Sequence, residues 1–136
     1  MKIRIDPLDE LFSHYVRLRA IKRVGGCERC LAPKFDILKD NGDILPAYKQ
    51  IQCSHYHKRR KLSVRFDESN ANGFCFGCHQ FFEENRDEYT LWMKFYLGQE
   101  QLGMLANRMR ISYPRPDRKA IEIYLKEQIK QLEDHR

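Results

Sequence analysis

Two Cys-x-x-Cys pairs carry the clearest chemistry in the chain: Cys27-Glu28-Arg29-Cys30 and Cys75-Phe76-Gly77-Cys78, separated by residues 31–74. Each pair brings two thiolates close enough to grip one metal ion, and together they complete a closed, tetrahedral four-cysteine zinc site. Gly25-Gly26 before the first pair and Gly77 within the second suit the tight backbone that such knuckles need. A lone pair could be a redox centre, but no βαβ pattern surrounds either one, so a structural zinc is expected. Cys53, in Ile51-Gln52-Cys53-Ser54-His55-Tyr56, is left over and reads as a small buried thiol on a short strand. An odd count of cysteines in a chain expected in the cytoplasm argues against a disulfide scaffold.

Three further side chains lie inside this zinc frame in a definite order: His55, Asn70 and His79. Hydrolysis of a phosphodiester needs a base to activate water and a divalent cation to stabilise the charge that develops on phosphorus and the leaving oxygen. His55 at a strand end is the candidate base. Asn70 is the candidate to fix the orientation or tautomer of that imidazole, and His79 at a helix start the candidate metal ligand. Each also has a plainer reading. His55 and His57 could contact phosphates, Asn70 could be an ordinary turn residue, and His79 could replace a cysteine on the zinc.

Charge gives these residues a context. The formal net charge is +6, from 25 Lys and Arg against 19 Asp and Glu. Between Ile44 and Phe66 there is no acidic residue, while Lys49, Lys58, Arg59, Arg60, Lys61 and Arg65 are all cationic, so the entire excess sits in one segment. Such a single-sign patch suits a polyanion such as DNA, because neutralising phosphates releases condensed counterions. A solvated basic loop is the bland alternative. Hydrophobic residues at 42% are enough for a core, and no apolar run exceeds three residues, so neither a membrane span nor a secretion signal after Met1-Lys2 is expected.

The elements that must position these groups follow from periodicity. Leu8, Leu11, Phe12, Tyr15, Val16, Leu18, Ala20 and Ile21 mark an amphipathic helix that Asp6-Pro7 opens and that ends near Val24. Lys39 to Asp43 is a turn, and Pro46 is a breaker. Two strands, one ending near His55 and one over Leu62–Phe66, predict a hairpin with Lys58, Arg59, Arg60 and Lys61 in its loop and Arg65 beside it as the DNA-contacting set. A helix opens near His79, others run from Tyr89 to Gly98 and from Leu102 to Met109, and the aromatic residues of Tyr89–Leu97 read as packing. After the linker Tyr113–Pro116, Asp117 caps a last helix whose stripe of Ile121, Tyr124, Leu125 and Leu132 predicts packing or dimerisation.

Cys27-x-x-Cys30, then Ser54-His55-Tyr56, then Asn70 ahead of Cys75-x-x-Cys78-His79, resembles the HNH, or ββα-metal, nuclease motif in its zinc-braced form. More narrowly, the segment from Leu8 to Arg19, His55-Tyr56 followed by Arg65-Phe66-Asp67-Glu68-Ser69-Asn70, and the Tyr89 to Gly98 helix are similar to the phage NinG (Rap) recombination proteins. The resemblance covers nearly the whole chain. It implies an α+β fold with a small zinc-stabilised ββα-metal core over 27–84, an N-terminal helix over 1–26 and a helical extension over 85–136. It implies a structure-selective DNA endonuclease that acts on branched recombination intermediates such as D-loops and Holliday junctions in the host cytoplasm. Zinc would be structural and Mg²⁺ or Mn²⁺ catalytic. Ser54 stands where many HNH nucleases have an acidic metal ligand, which makes Asp67 the candidate substitute beside His79. A homodimer through the C-terminal helices is a further expectation. The rival reading from another class is a non-catalytic zinc module that binds DNA and recruits recombination partners.

Overall fold

The computed structural model describes residues 4–111 and 115–134; Tyr113 and Pro114 of the expected linker, and residues 135–136 of the expected last helix, lie outside them. The fold is α+β, with helices α1 (Pro7–Val24), α2 (Phe76–Glu84), α3 (Arg86–Leu97), α4 (Gln99–Arg110) and α5 (Arg118–Asp134). Two antiparallel pairs of strands stand among them: β1 (Ile37–Leu38) with β2 (Ile44–Leu45), and β3 (Gln52–His55) with β4 (Ala71–Phe74).

Helix α1 starts as its sequence dictates. Asp6 accepts the Leu8 N–H at 2.9 Å and Pro7 occupies the first turn, where its missing N–H costs nothing. Gly25, at φ +72°, ends the helix in the left-handed region by donating to the Ile21 carbonyl.

The β3–β4 hairpin is the centre of the molecule. Its register pairs Cys53 with Gly73 and His55 with Ala71, and side chains alternate between faces. Cys53, His55 and Ala71 look toward α1. Gly73 shares that face because α1 passes close: a Cβ there would stand 2.7 Å from the Ala20 Cβ and 2.9 Å from Ile51 Cδ1. Leu8, Phe12, Tyr15, Val16 and Leu18 form this core with Ala71, and Leu125 and Ile129 of α5 close it. Ile121, Leu125 and Leu132 of the stripe expected to pack or dimerise are therefore occupied within the chain, while Tyr124 stays exposed. On the opposite face, Phe74 packs with Phe82 of α2 and with Tyr89 and Met93 of α3, and the Phe82 and Tyr89 rings stack at 4.5 Å. Ser54, also on this face, exchanges a hydrogen bond with the Tyr89 hydroxyl at 3.0 Å.

The partner of β3 differs from expectation. Leu62–Val64 is a 3₁₀ turn, and the second strand is Ala71–Phe74, so residues 56–70 form one long loop. The alternation at Leu62–Phe66 misleads because Val64 is buried by packing with α4 rather than by a strand partner; Leu105 lies in the same core, and Ser63 donates to the Met109 carbonyl at 3.0 Å. Helix α2 likewise begins before His79, at Phe76, and takes in the second knuckle.

Candidate functional site

The four cysteines converge. Sγ atoms of Cys27, Cys30, Cys75 and Cys78 all lie within 4.8 Å of one another, a set that could hold one zinc ion. Cys30 and Cys75 stand 3.8 Å apart, which matches the edge of about 3.8 Å that a tetrahedron with Zn–S near 2.3 Å requires. Two structures deliver the thiols. The first knuckle is a tight turn in which Leu31 donates to the Cys27 carbonyl and Gly26 bridges to Pro33; a Cβ on Gly26 would fall 2.0 Å from the Ala32 oxygen. The second knuckle is the first turn of α2, with Cys75 at the N-cap, where the helix dipole favours thiolate. Gly77, expected to permit close approach, has open space beside it.

The residues between the first two cysteines tie this cage to the hairpin, and nothing in the sequence signals it. Buried Glu28 accepts from the Gly73 N–H at 2.7 Å and from the Asn72 amide at 3.1 Å, and its own N–H donates to the Gly73 carbonyl at 2.9 Å. Arg29 donates to Cys78 Sγ at 3.4 Å, with its guanidinium 4.3 Å from the Phe81 ring. A four-thiolate zinc centre carries surplus negative charge, and a cation hydrogen-bonded to one sulfur fits that donor set.

His55 ends β3 with its ring 5.6 Å from Phe12 and its Nε2 3.0 Å from the Arg65 carbonyl. A carbonyl can only accept, so Nε2 carries the proton and Nδ1 keeps its lone pair. Burial pushes the His55 pKa below its ordinary value, against the pull of the Arg65 carbonyl, so the ring is neutral at pH 7. This is an imidazole with one nitrogen tied down and the other basic.

Asn70 is fully buried, but its side chain hydrogen-bonds elsewhere than to that ring. Its Oδ1 accepts from the His57 N–H at 2.8 Å while Nδ2 donates to the carbonyls of His57 and Val64 at 2.9 and 3.1 Å. The expected task of orienting the imidazole falls to the Arg65 carbonyl. Asn70 instead clamps the two ends of the long loop together.

Asp67, the candidate metal ligand, is committed elsewhere: it caps the 3₁₀ turn Glu68–Asn70 through the Ser69 N–H and pairs with Arg108 at 2.7 Å. His79 lies in the first turn of α2. Its Nδ1 is buried without a hydrogen-bond partner, as is Nε2 of His57. Among the described residues no hydrogen bond or ring contact joins His55 to His79, and strand alternation explains why: His55 faces α1, whereas α2 packs on the opposite side. The elements are nonetheless adjacent, since Lys58 pairs with Glu83, one helical turn beyond His79, and Arg86 donates to the Tyr56 carbonyl.

The basic run divides. Lys58 is neutralised by Glu83. Arg65 grips Asp9 of α1 and is pulled inward, so it does not belong to a free DNA-contacting surface. Arg59 stays 60% exposed with Asp9 at 3.6 Å, and Arg60 and Lys61 are exposed at the loop apex. Asp9 is the residue of this region that sequence reasoning missed. It lies 56 positions from Arg65, and no local pattern announces such a pair.

No helix of the described residues is long and apolar enough to cross a membrane. Compared with models of known families, with curated proteins and with solved structures, the chain matches none.

Proposed function

We propose that this protein is a metal-dependent DNA endonuclease of the HNH type, with β3, the loop over 56–70, β4 and α2 as its ββα core. The reading rests on one observation above all. A neutral imidazole, tautomerically fixed by a loop carbonyl, stands at the end of a strand next to an exposed cationic loop. His55 Nδ1 takes the proton from the attacking water, and Arg59, Arg60 and Lys61 hold the phosphate backbone. His79 and His57, whose buried ring nitrogens lack partners, are the donors left for Mg²⁺ or Mn²⁺ once Asp67 is bound to Arg108. When bound, such a cation supplies charge stabilisation at the scissile phosphate. The resemblance read from its sequence motifs to the phage NinG proteins is the sole ground on which branched recombination intermediates, D-loops and Holliday junctions, are the proposed substrates, cut in the host cytoplasm.

A specific observation favours a second reading. His55 and His79 face different sides of the hairpin, and Ser54, at the position of the usual acidic ligand, is buried against Tyr89. A non-catalytic zinc module that binds DNA and recruits recombination partners needs neither histidine. Cleavage of linear, flapped and four-way DNA with Mg²⁺ or Mn²⁺ decides. The nuclease reading expects cutting that falls roughly 10²–10⁴-fold in His55→Ala while DNA binding and zinc persist. No cutting of any substrate, with binding intact, makes the non-catalytic binding module the better reading.

A further inference from the structure

The carbonyl that fixes His55 belongs to a loop, where no strand ladder holds it. Arg65 N–H reaches the Leu62 carbonyl only at 3.4 Å, so local backbone bonding anchors this residue weakly. Its side chain is anchored well. Arg65 Nε donates to Asp9 Oδ1 at 2.8 Å and Nη2 to Asp9 Oδ2, a two-pronged contact that sets orientation as well as distance. Asp6 stands 3.5 Å from the same Nη2. Both carboxylates come from the start of α1, and Phe12, three residues after Asp9 on the same helical face, packs against the imidazole. One turn of α1 thus supports the ring and also the residue whose carbonyl binds it.

We propose that Asp9 and Arg65 are a positioning pair for His55: the carboxylate grips the guanidinium, which sets the Arg65 carbonyl and so selects the Nε2–H tautomer. Neither side chain touches DNA or the reacting atoms. The inference deepens the endonuclease reading, since a base that abstracts a proton through Nδ1 must not carry one there, and it rests on that reading for its purpose. It also explains why a cation in the basic segment is withdrawn from the loop surface.

The test uses the full-length zinc-loaded protein with ¹⁵N-labelled histidine, without DNA. In the unaltered chain the ring shifts of His55 should report the Nε2–H form alone. In Asp9→Asn and in Arg65→Gln a measurable Nδ1–H population should appear, with faster exchange of the Nε2 proton. Arg65→Lys keeps the charge without the fork and should fall between. Arg118→Ala, which breaks a pair with Asp6 instead, should leave the ring unchanged. The proposal is overturned by His55 shifts that stay the same in Asp9→Asn and Arg65→Gln, or by an equal effect of Arg118→Ala. Loss of zinc or of helix signal in Arg65→Gln also overturns it, because the pair would then hold the fold rather than the ring. If the tautomer shifts as expected but the protein cuts no DNA, the pair stands and the endonuclease reading falls.

Discussion

Burial of imidazoles gives this protein a pH dependence that individual residues can be made to reveal. His14, His55 and His57 all have pKa values lowered from 6.5, in each case mainly by desolvation of the charged form. The unfolded chain therefore binds protons that the folded chain refuses, so stability is level above about pH 6.5 and declines as pH falls below it. Thermal melts between pH 7.5 and 5 should follow that course. His14, stacked on Tyr48 at 4.6 Å and outside the four-cysteine cluster, separates imidazole from thiolate effects. His14→Gln should flatten the slope, and an unchanged slope would leave it to His55, His57 and the cysteine thiols. Cys53 tests the cysteine assignment. Its thiol is pushed up to about 12 by burial against the α1 core, which makes it unreactive at neutral pH. Cys53→Ser should leave about one zinc per chain while costing about 1 kcal/mol for a hydroxyl in a half-buried site; zinc loss in this variant would break the four-cysteine assignment.

Among the elements, the knuckle and the hairpin depend on glycines for different reasons. Gly26→Ala drives a Cβ into the Ala32 carbonyl, backbone that cannot yield, so the first knuckle should open and zinc should be lost to a chelator faster. Gly77→Ala meets nothing and should match the unaltered protein. Gly73→Ala instead presses α1 away from β4, and overpacking of this kind costs about 1–3 kcal/mol, read from urea unfolding. The long loop makes its own prediction. Arg60→Ala and Lys61→Ala should each weaken binding to every DNA structure and lower the slope of log affinity against log salt by about 1, as expected for one phosphate contact apiece. Lys58→Ala should change that slope less, because Glu83 already neutralises Lys58. Equal effects from all of these would mean that the ion pair opens on DNA.

For the molecule as a whole, buried polar ties hold α1 to the hairpin that lies between the two cores. Arg19, only 5% exposed, donates from α1 to the carbonyls of Glu68 and Ala71 at 3.0 and 2.6 Å. Helix α5, near the end of the chain, closes the core that begins with α1. Leu125→Ala should therefore cost about 2–5 kcal/mol in urea unfolding, although α5 contributes no thiol to the four-cysteine cluster. A cost under about 0.5 kcal/mol, as for an exposed position, would show that α5 detaches freely and that its stripe is available to a second chain.

Much of this architecture is legible from local chemistry. The 3.6-residue stripe and its Asp6, Pro7 and Gly25 boundaries determine α1, because capping and amphipathic burial are settled within a few residues. The paired Cys-x-x-Cys spacing marks out a four-cysteine set that could hold zinc, and the fold brings the two knuckles together. Asp117 marks the start of α5 by the same local logic, accepting the Ala120 N–H at 3.1 Å. Distant partners decide the rest. The alternation of Leu62–Phe66 signals one buried side, and only the packing of α4 makes that side a 3₁₀ turn. Asp67 and Arg65 each read as exposed groups free to bind a metal or DNA, until Arg108 and Asp9 claim them. Charge–charge contacts leave no trace in residue spacing when the partners come from elements far apart, so the tertiary fold alone determines which charges stay free to act and which atom of His55 holds its proton.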